Sequence, residues 1–150
     1  MTGSVVIIRH PRERLSKCSL RHLHDHPSFA FHKAVKGFTF DASGHVELAV
    51  DAPPLTVEDR DHPLLILDST WRLLPKLEAC IRGTTQRRSL PRVATAYPRV
   101  SRVFTDPSGG LASLEALYLA LKILGDDDPS LLDDYHWKDT FLSNVAAAGL

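Results

Sequence analysis

The stretch Leu64-Leu-Ile-Leu-Asp-Ser-Thr-Trp-Arg-Leu-Leu74 changes character part-way along. Leu64, Leu65, Ile66 and Leu67 form a short continuous apolar run closed by small polar residues, the pattern of a strand buried on both faces. Asp68, Ser69 and Thr70 are all helix-capping types. Beyond them the spacing turns helical, through Trp71, Leu74, Leu77, Glu78 and Ile81. The stretch therefore reads as central strand, tight turn and helix, the helix running to about Arg82 with Gly83 as its C-cap. In open α/β sheets ligands bind in the crevice beyond the carboxyl ends of the strands, where Asp68 and Trp71 would project. Residue chemistry leaves a second reading open, in which Asp68 is only a cap and Trp71 only core.

Upstream, Ser4–Ile8 is β-branched and apolar, a first buried strand that His10-Pro11 stops. Arg12–Leu20 is a basic loop or short helix. Phe38–Phe40 and Val46–Val50 read as two strands, with Asp41-Ala-Ser-Gly44 supplying hairpin-turn composition between them. Pro53-Pro54 ends the second, and Thr56–Asp61 fits one capped helical turn with Glu58 and Asp59 at its positive end. Downstream, Thr84–Ser89 is a polar connector, Val93–Tyr97 is expected as a strand ended by Pro98, and Phe104–Gly110 is a loop. Leu111–Leu124 is the best-patterned helix. Leu114, Leu117, Tyr118, Leu121 and Leu124 share a face, Glu115 sits in the first turn and Gly125 closes it. After the acidic turn Asp126–Asp128, Pro129 takes a first helical position. A final helix is expected to about Ala147, burying Leu132, Tyr135 or His136, Phe141 and Val145.

A chain of 150 residues that is 43% hydrophobic is globular and can build a core without metal or disulfide staples. No repeat or second domain is visible, so one α/β domain is expected over 1–150. No apolar run approaches the ~18 residues of a membrane span, and Met1–His10 lacks the pattern of an export signal. Cys18 and Cys80 are too few for a disulfide framework and read as reduced thiols of a cytoplasmic protein.

The formal net charge is zero, yet residues 1–40 carry seven Lys/Arg against Glu13 and Asp25, and Arg82–Arg102 holds six Arg and no acid. Two basic segments on a neutral chain fit one phosphate-binding face; ordinary solvated charge is the alternative. Few aromatics lie beside these arginines, which argues against a stacking platform for single strands. His22, His24 and His26 alternate and would share one face of a strand, but no nearby Cys or carboxylate pair completes a structural zinc set. They are read as exposed histidines near RNA or solvent, and no metal is expected. Gly-x-Gly, Gly-Lys-Ser/Thr, Gly-x-Ser-x-Gly, Cys-x-x-Cys and His-Glu-x-x-His are all absent.

Leu67-Asp68-Ser69-Thr70-Trp71 resembles the Asp-Cys-Ser-Trp signature of the small-subunit rRNA aminocarboxypropyltransferases and the Asp-x-Thr-Trp of the related DTW-domain tRNA enzymes. Further matches follow in order. Lys17-Cys18-Ser19 resembles the family's Lys-Cys-Thr/Ser entry segment, Lys36-Gly37 its next block and Leu90-Pro91 its Leu-Leu-Pro segment. Leu111-Ala-Ser-Leu-Glu115-Ala116 resembles its Leu-Ser-x-Val-Glu-Ala helix start, and Tyr135-His-Trp137-Lys-Asp-Thr-Phe141-Leu its C-terminal Phe-x-Trp-Gly-x-x-Phe-Leu. The family's Ala-Asn-Pro-Val-Asn-Tyr-Gly block is replaced by Ala94-Thr-Ala-Tyr97-Pro98-Arg99-Val-Ser, and extra residues precede Leu111, so the resemblance is to a divergent member.

The resemblance implies a single-domain SPOUT-like α/β fold with a mainly parallel central sheet, knotted in its C-terminal half. It implies a strand-rich part over 1–62 and a cofactor-binding part over 63–150. It also implies S-adenosylmethionine as cofactor and transfer of its 3-amino-3-carboxypropyl group to N3 of an RNA uridine or pseudouridine, rRNA ahead of tRNA. By the same analogy Ser19 lies at the amino-carboxypropyl end, and Leu67, Leu90, Gly109 and Ser113 supply contacts. Trp71 and Leu74, one turn apart, would form the methyl pocket, Trp71 offering a π-face to the sulfonium. Asp68 is the catalytic candidate, in a positioning and electrostatic role ahead of general base. Arg12, Arg14, Lys17, Arg87 and Arg88 are the RNA-binding candidates. A SPOUT-like RNA methyltransferase and a non-catalytic RNA- or ribosome-binding module are the alternatives.

Overall fold

The computed structural model of the chain describes residues 4–12, 20–23, 25–69, 72–96 and 111–150. Its strands are β1 (Val5–Arg9), β2 (Phe29–Lys33), β3 (Phe40–Asp41), β4 (Val46–Leu48), β5 (Leu64–Asp68), β6 (Ile81–Arg82) and β7 (Gln86–Arg88). Its helices are α1 (Leu74–Glu78), α2 (Ser113–Ile123) and α3 (Lys138–Ala147), with 3-10 turns at Arg21–Leu23, Val57–Asp61 and Pro129–Leu132. Five strands form the main sheet in the order β2-β1-β5-β4-β7, and β3 and β6 form a separate pair. Every pairing between these strands is parallel.

β1 and β5 lie side by side in the sheet, Val5 opposite Leu64 and Arg9 opposite Asp68. Their apolar runs are continuous because both faces are covered. On one face Val5, Ile7, Leu64 and Ile66 pack with Leu114, Leu117 and Tyr118 of α2 and Phe141 and Val145 of α3. On the other, Val6, Ile8 and Leu65 pack with Leu77 of α1.

The central strand ends at Asp68 as expected, but the helix after it is shorter than its spacing implies. Pro75 sits in its first turn and it closes after Glu78. Ile81, the last residue of the helical pattern, is instead in β6, beside Phe40. The expected hairpin is also corrected: β3 and β4 belong to different sheets. Both run parallel to the segment β6–β7. Four residues, 42–45, face three, 83–85, and this extra residue splits one parallel pairing into two. An Asx turn takes up the excess, the Ser43 N–H donating to Asp41 Oδ1 at 3.1 Å. Gly83 is no helix cap. It has φ +84°, and a Cβ there would run into Ser43 Oγ and meet Asp41 Oδ1 at 2.7 Å, so the turn demands glycine.

Besides β6, two strands lie where none is expected. β2 follows the histidine run, in residues that carry no strand expectation, and β7 is in the polar connector. Conversely, the strand expected over Val93–Tyr97 is not formed: its described part, residues 93–96, has no regular structure. His22 and His26, of the alternating histidines, are not on a strand face. His22 is in a 3-10 turn, its Nε2 3.3 Å from the Leu131 carbonyl, and His26 stacks on Phe29 with ring centroids 4.3 Å apart; His24 lies outside the described residues. The turn at Val57–Asp61 and helix α2 stand where they are expected. The last helix is in two pieces, a 3-10 turn from Pro129 and then α3. Tyr135, not His136, takes the buried position.

Candidate ligand-binding site

β5, β4 and β7 are adjacent and parallel, so their carboxyl ends fall at one edge of the sheet. A cleft of about 320 Å³ opens there, within the roughly 300–1,000 Å³ of small-molecule sites. Its walls are Leu48–Val50 at the end of β4, Leu67 and Ser69 at the end of β5, Leu74 and Glu78 of α1, Ser89–Arg92 after β7, and Leu111, Ser113 and Ala116 at the start of α2. A second cavity of about 380 Å³ opens at the opposite edge, by the amino ends of β1 and β2.

Asp68 is the last residue of β5 and is buried. Its Oδ1 accepts a hydrogen bond from Ser113 Oγ at 2.6 Å, which ties the central strand to the first turn of α2. The contact needs Glu115, which is fully buried. The Glu115 carboxylate accepts from the Ala112 N–H at 2.9 Å, the Thr95 hydroxyl at 2.5 Å and the Ala96 N–H at 2.8 Å. Asn144 of α3 holds the same segment by donating to the Ala94 carbonyl at 2.9 Å. One carboxylate therefore fixes both the start of α2 and the chain entering the cleft from Leu90.

Leu67, Leu74, Leu90 and Ser113, four of the cofactor-binding candidates, thus line one cleft, with Asp68 bonded to its rim. Ser19, Trp71 and Gly109 lie outside the described residues, as do Arg14 and Lys17. Leu48, Ala49 and Val50 are cleft residues that sequence reading missed. The signal was the end of a predicted strand, but a hairpin partner gave no reason to align it with β5.

The described arginines are not equivalent. Arg87, at the cleft wall, is held by two acids. Its Nε lies 3.2 Å from Glu47 Oε2 and its Nη2 3.4 Å from Glu78 Oε1. Glu47 is buried, and burial pushes its carboxyl above the ordinary range, against the pull of Arg87. Arg88 turns away to the buried Asp59, Nε to Oδ1 3.3 Å. Both side chains are therefore occupied within the protein. Arg12 is exposed beyond β1, and its N–H donates to His10 Nδ1 at 3.1 Å. His10 is held below its ordinary pKa by burial and by the nearby Lys76 and Arg12 charges, consistent with a neutral ring accepting that bond.

No protein-family model matches the chain, and no curated protein matches it. Among solved structures there is a match to the SAM-dependent rRNA:acp-transferase Tsr3 from Vulcanisaeta distributa, with a TM-score of 0.74 and 26% identity. The chain shares the fold of Tsr3. The match covers 99% of this chain and 82% of Tsr3, so the cleft elements β4, β5, β7, α1 and α2 all lie within the shared span.

Proposed function

We propose that the chain is an S-adenosylmethionine-dependent rRNA aminocarboxypropyltransferase. The observation that carries this is the likeness to Tsr3 along 99% of the chain at 26% identity, with a cleft at the expected end of the sheet. The residues present suit the cofactor: an apolar floor from Leu67, Leu74 and Leu90 for a nucleoside and a methyl, and a buried carboxylate, Asp68, at the rim for a cationic group. When bound, S-adenosylmethionine supplies the aminocarboxypropyl carbon; its transfer to N3 of a uridine or pseudouridine breaks that carbon–sulfur bond, leaves the electron pair on sulfur in methylthioadenosine and releases the N3 proton.

The chain's part is to choose which carbon faces the acceptor. Leu74 and Trp71 enclose the methyl, with the aromatic face of Trp71 as the group that stabilises the sulfonium. Asp68 holds its place through Ser113 and supplies negative charge at the reacting end, positioning ahead of acting as base. Ser19 and Gly109 complete the cofactor contacts. Arg12, Arg14 and Lys17 meet rRNA phosphate, while Arg87 and Arg88 join only by exchanging their acidic partners. The knotted SPOUT-like topology, a relationship to the DTW-domain enzymes, cytoplasmic residence and a role in ribosome biogenesis belong to the same reading; the parallel order of β1, β5, β4 and β7 supports its fold component.

Calorimetric titration with S-adenosylmethionine tests it, wild type beside Trp71→Ala, followed by product analysis with rRNA. Micromolar binding lost in the variant, with methylthioadenosine as product, is expected. S-adenosylhomocysteine as product would mean methyl transfer, and no binding by the wild type would leave an RNA-binding module of this fold.

A further inference from the structure

We infer that Arg9 is the anchor for the carboxylate of the transferred group, an assignment that rests on the function proposed above. Arg9 is the last residue of β1, directly opposite Asp68 of β5. By strand alternation it shares a face with Val5 and Ile7, the α2 face, and Asp68 shares that face with Leu64 and Ile66. Arginine at such a site ordinarily pairs with an acid, because a buried N–H without an acceptor has lost its water for nothing. Arg9 does not: its Nη1 is buried and has no hydrogen-bond partner, and among the described residues it forms no ion pair. The neighbouring carboxylate of Asp68 is engaged by Ser113. Across β1 the register partner on β2 is Lys33, another cation. Among the described residues this half-buried guanidinium has no ion-pair partner and its Nη1 no acceptor, which suits a bound anion.

The order of the strands says which part of the ligand reaches it. The cleft lies over the ends of β7, β4 and β5, and β1 is the next strand beyond β5, about 4.8 Å further along the sheet edge. The cleft wall ends on β5 at Leu67 and Ser69, either side of Asp68; a molecule with its apolar body over β4 and β7 that extends one strand further along the sheet edge would bring its far end past Asp68 to Arg9. S-adenosylmethionine has that form, a nucleoside at one end and an amino acid at the other. Its ammonium and carboxylate meet a carboxylate and a guanidinium on adjacent strand ends. The carboxylate is planar and takes the guanidinium fork in two parallel hydrogen bonds.

The test compares S-adenosylmethionine with its decarboxylated form, which lacks only the carboxylate, in titrations of wild type, Arg9→Met and Arg9→Lys. The wild type is expected to bind S-adenosylmethionine about 10- to 100-fold more tightly than the decarboxylated compound, the range of a charge-assisted hydrogen bond. Arg9→Met should bind the two alike, with the affinity for the decarboxylated compound unchanged. Arg9→Lys keeps the charge without the fork and should show an intermediate ratio; it also serves if the Met variant does not fold. Equal binding of both compounds by the wild type overturns the assignment, as does a ratio unmoved by either substitution. Loss of rRNA affinity with the ratio intact would give Arg9 to phosphate instead and overturns it too. A wild type that binds neither compound would overturn the function itself, and the carboxylate anchor with it.

Discussion

At the scale of single residues, two carboxylates divide the work at the cleft. Asp68, at the end of β5, ties that strand to Ser113 of α2, and Glu115 holds the backbone on either side of the cleft. Glu115 is fully buried and accepts from two main-chain N–H groups and one hydroxyl. A buried donor left without an acceptor costs about 1–3 kcal/mol. Glu115→Ala abandons the N–H groups of Ala96 and Ala112 together, so a loss of about 3 kcal/mol is expected in chemical denaturation. Weakened S-adenosylmethionine binding should accompany it, because the same carboxylate holds Ala112, next to Ser113, and Thr95 and Ala96 in the segment that follows Leu90. Asp68 was legible in the sequence because it closes an apolar run. Glu115 was legible only as a first-turn acid, since its partners at 95 and 96 are brought to it by tertiary contact. Arg9 carried no signal at all: one basic residue after a strand is ordinary until the pairing shows what stands beside it.

At the scale of elements, α2 is held at both ends, by Glu115 at the cleft and by a charged network at the far end. The Tyr118 hydroxyl donates to Asp127 Oδ1 at 2.8 Å and Lys122 Nζ to Asp127 Oδ2 at 2.9 Å. Burial, then the Asp127 hydrogen bond and charge, push the Tyr118 hydroxyl up from 10.0 to about 12. The hydrogen bonds from Lys122 and Tyr118 hold Asp127 below its ordinary 3.8. The raised tyrosine stabilises the fold fully below pH 10 and loses that contribution as pH climbs through its folded value. The depressed aspartate contributes above pH 3.8 and loses its contribution as pH falls through its own folded value. Melting temperature followed against pH should therefore show an alkaline decline between about 10 and 12 that Tyr118→Phe flattens. The same variant should shrink the acid decline, since Asp127 loses one of its two donors.

At the scale of the whole molecule, the cleft is built from pieces distant in sequence. Residues 48–50, 67–69, 89–92 and 111–116 meet only because β5, β4 and β7 are adjacent and parallel. A ligand that binds this assembled state and not the unfolded chain stabilises it by mass action, about 2.7 kcal/mol at a hundred times its dissociation constant. For a chain of this size that corresponds to a rise of about 5–10 °C in melting temperature. S-adenosylmethionine should produce such a shift in differential scanning fluorimetry, and a flat melting temperature would place its binding elsewhere or nowhere.

The residues by themselves determined what local physics reaches. The run Leu64–Leu67 suited a strand covered on both faces with Asp68 at its carboxyl end, and the stripe from Leu114 to Leu124 had the spacing of a helix. Burial on both faces and helical spacing are each written into neighbouring residues. Only the tertiary structure decided the partners. Pro75 set the start of α1 at Leu74, and the pairing of Ile81 with Phe40 of β3 ended the helix short of Ile81. One extra residue between Asp41 and Val46 turned an apparent hairpin into two parallel pairings. The polar run at Gln86–Arg88 became an edge strand because β4 supplied its hydrogen bonds. Strand pairing depends on contacts tens of residues apart and leaves no periodicity to read, so the cleft's far wall and the placement of Arg9 beside Asp68 appear only once the chain is folded.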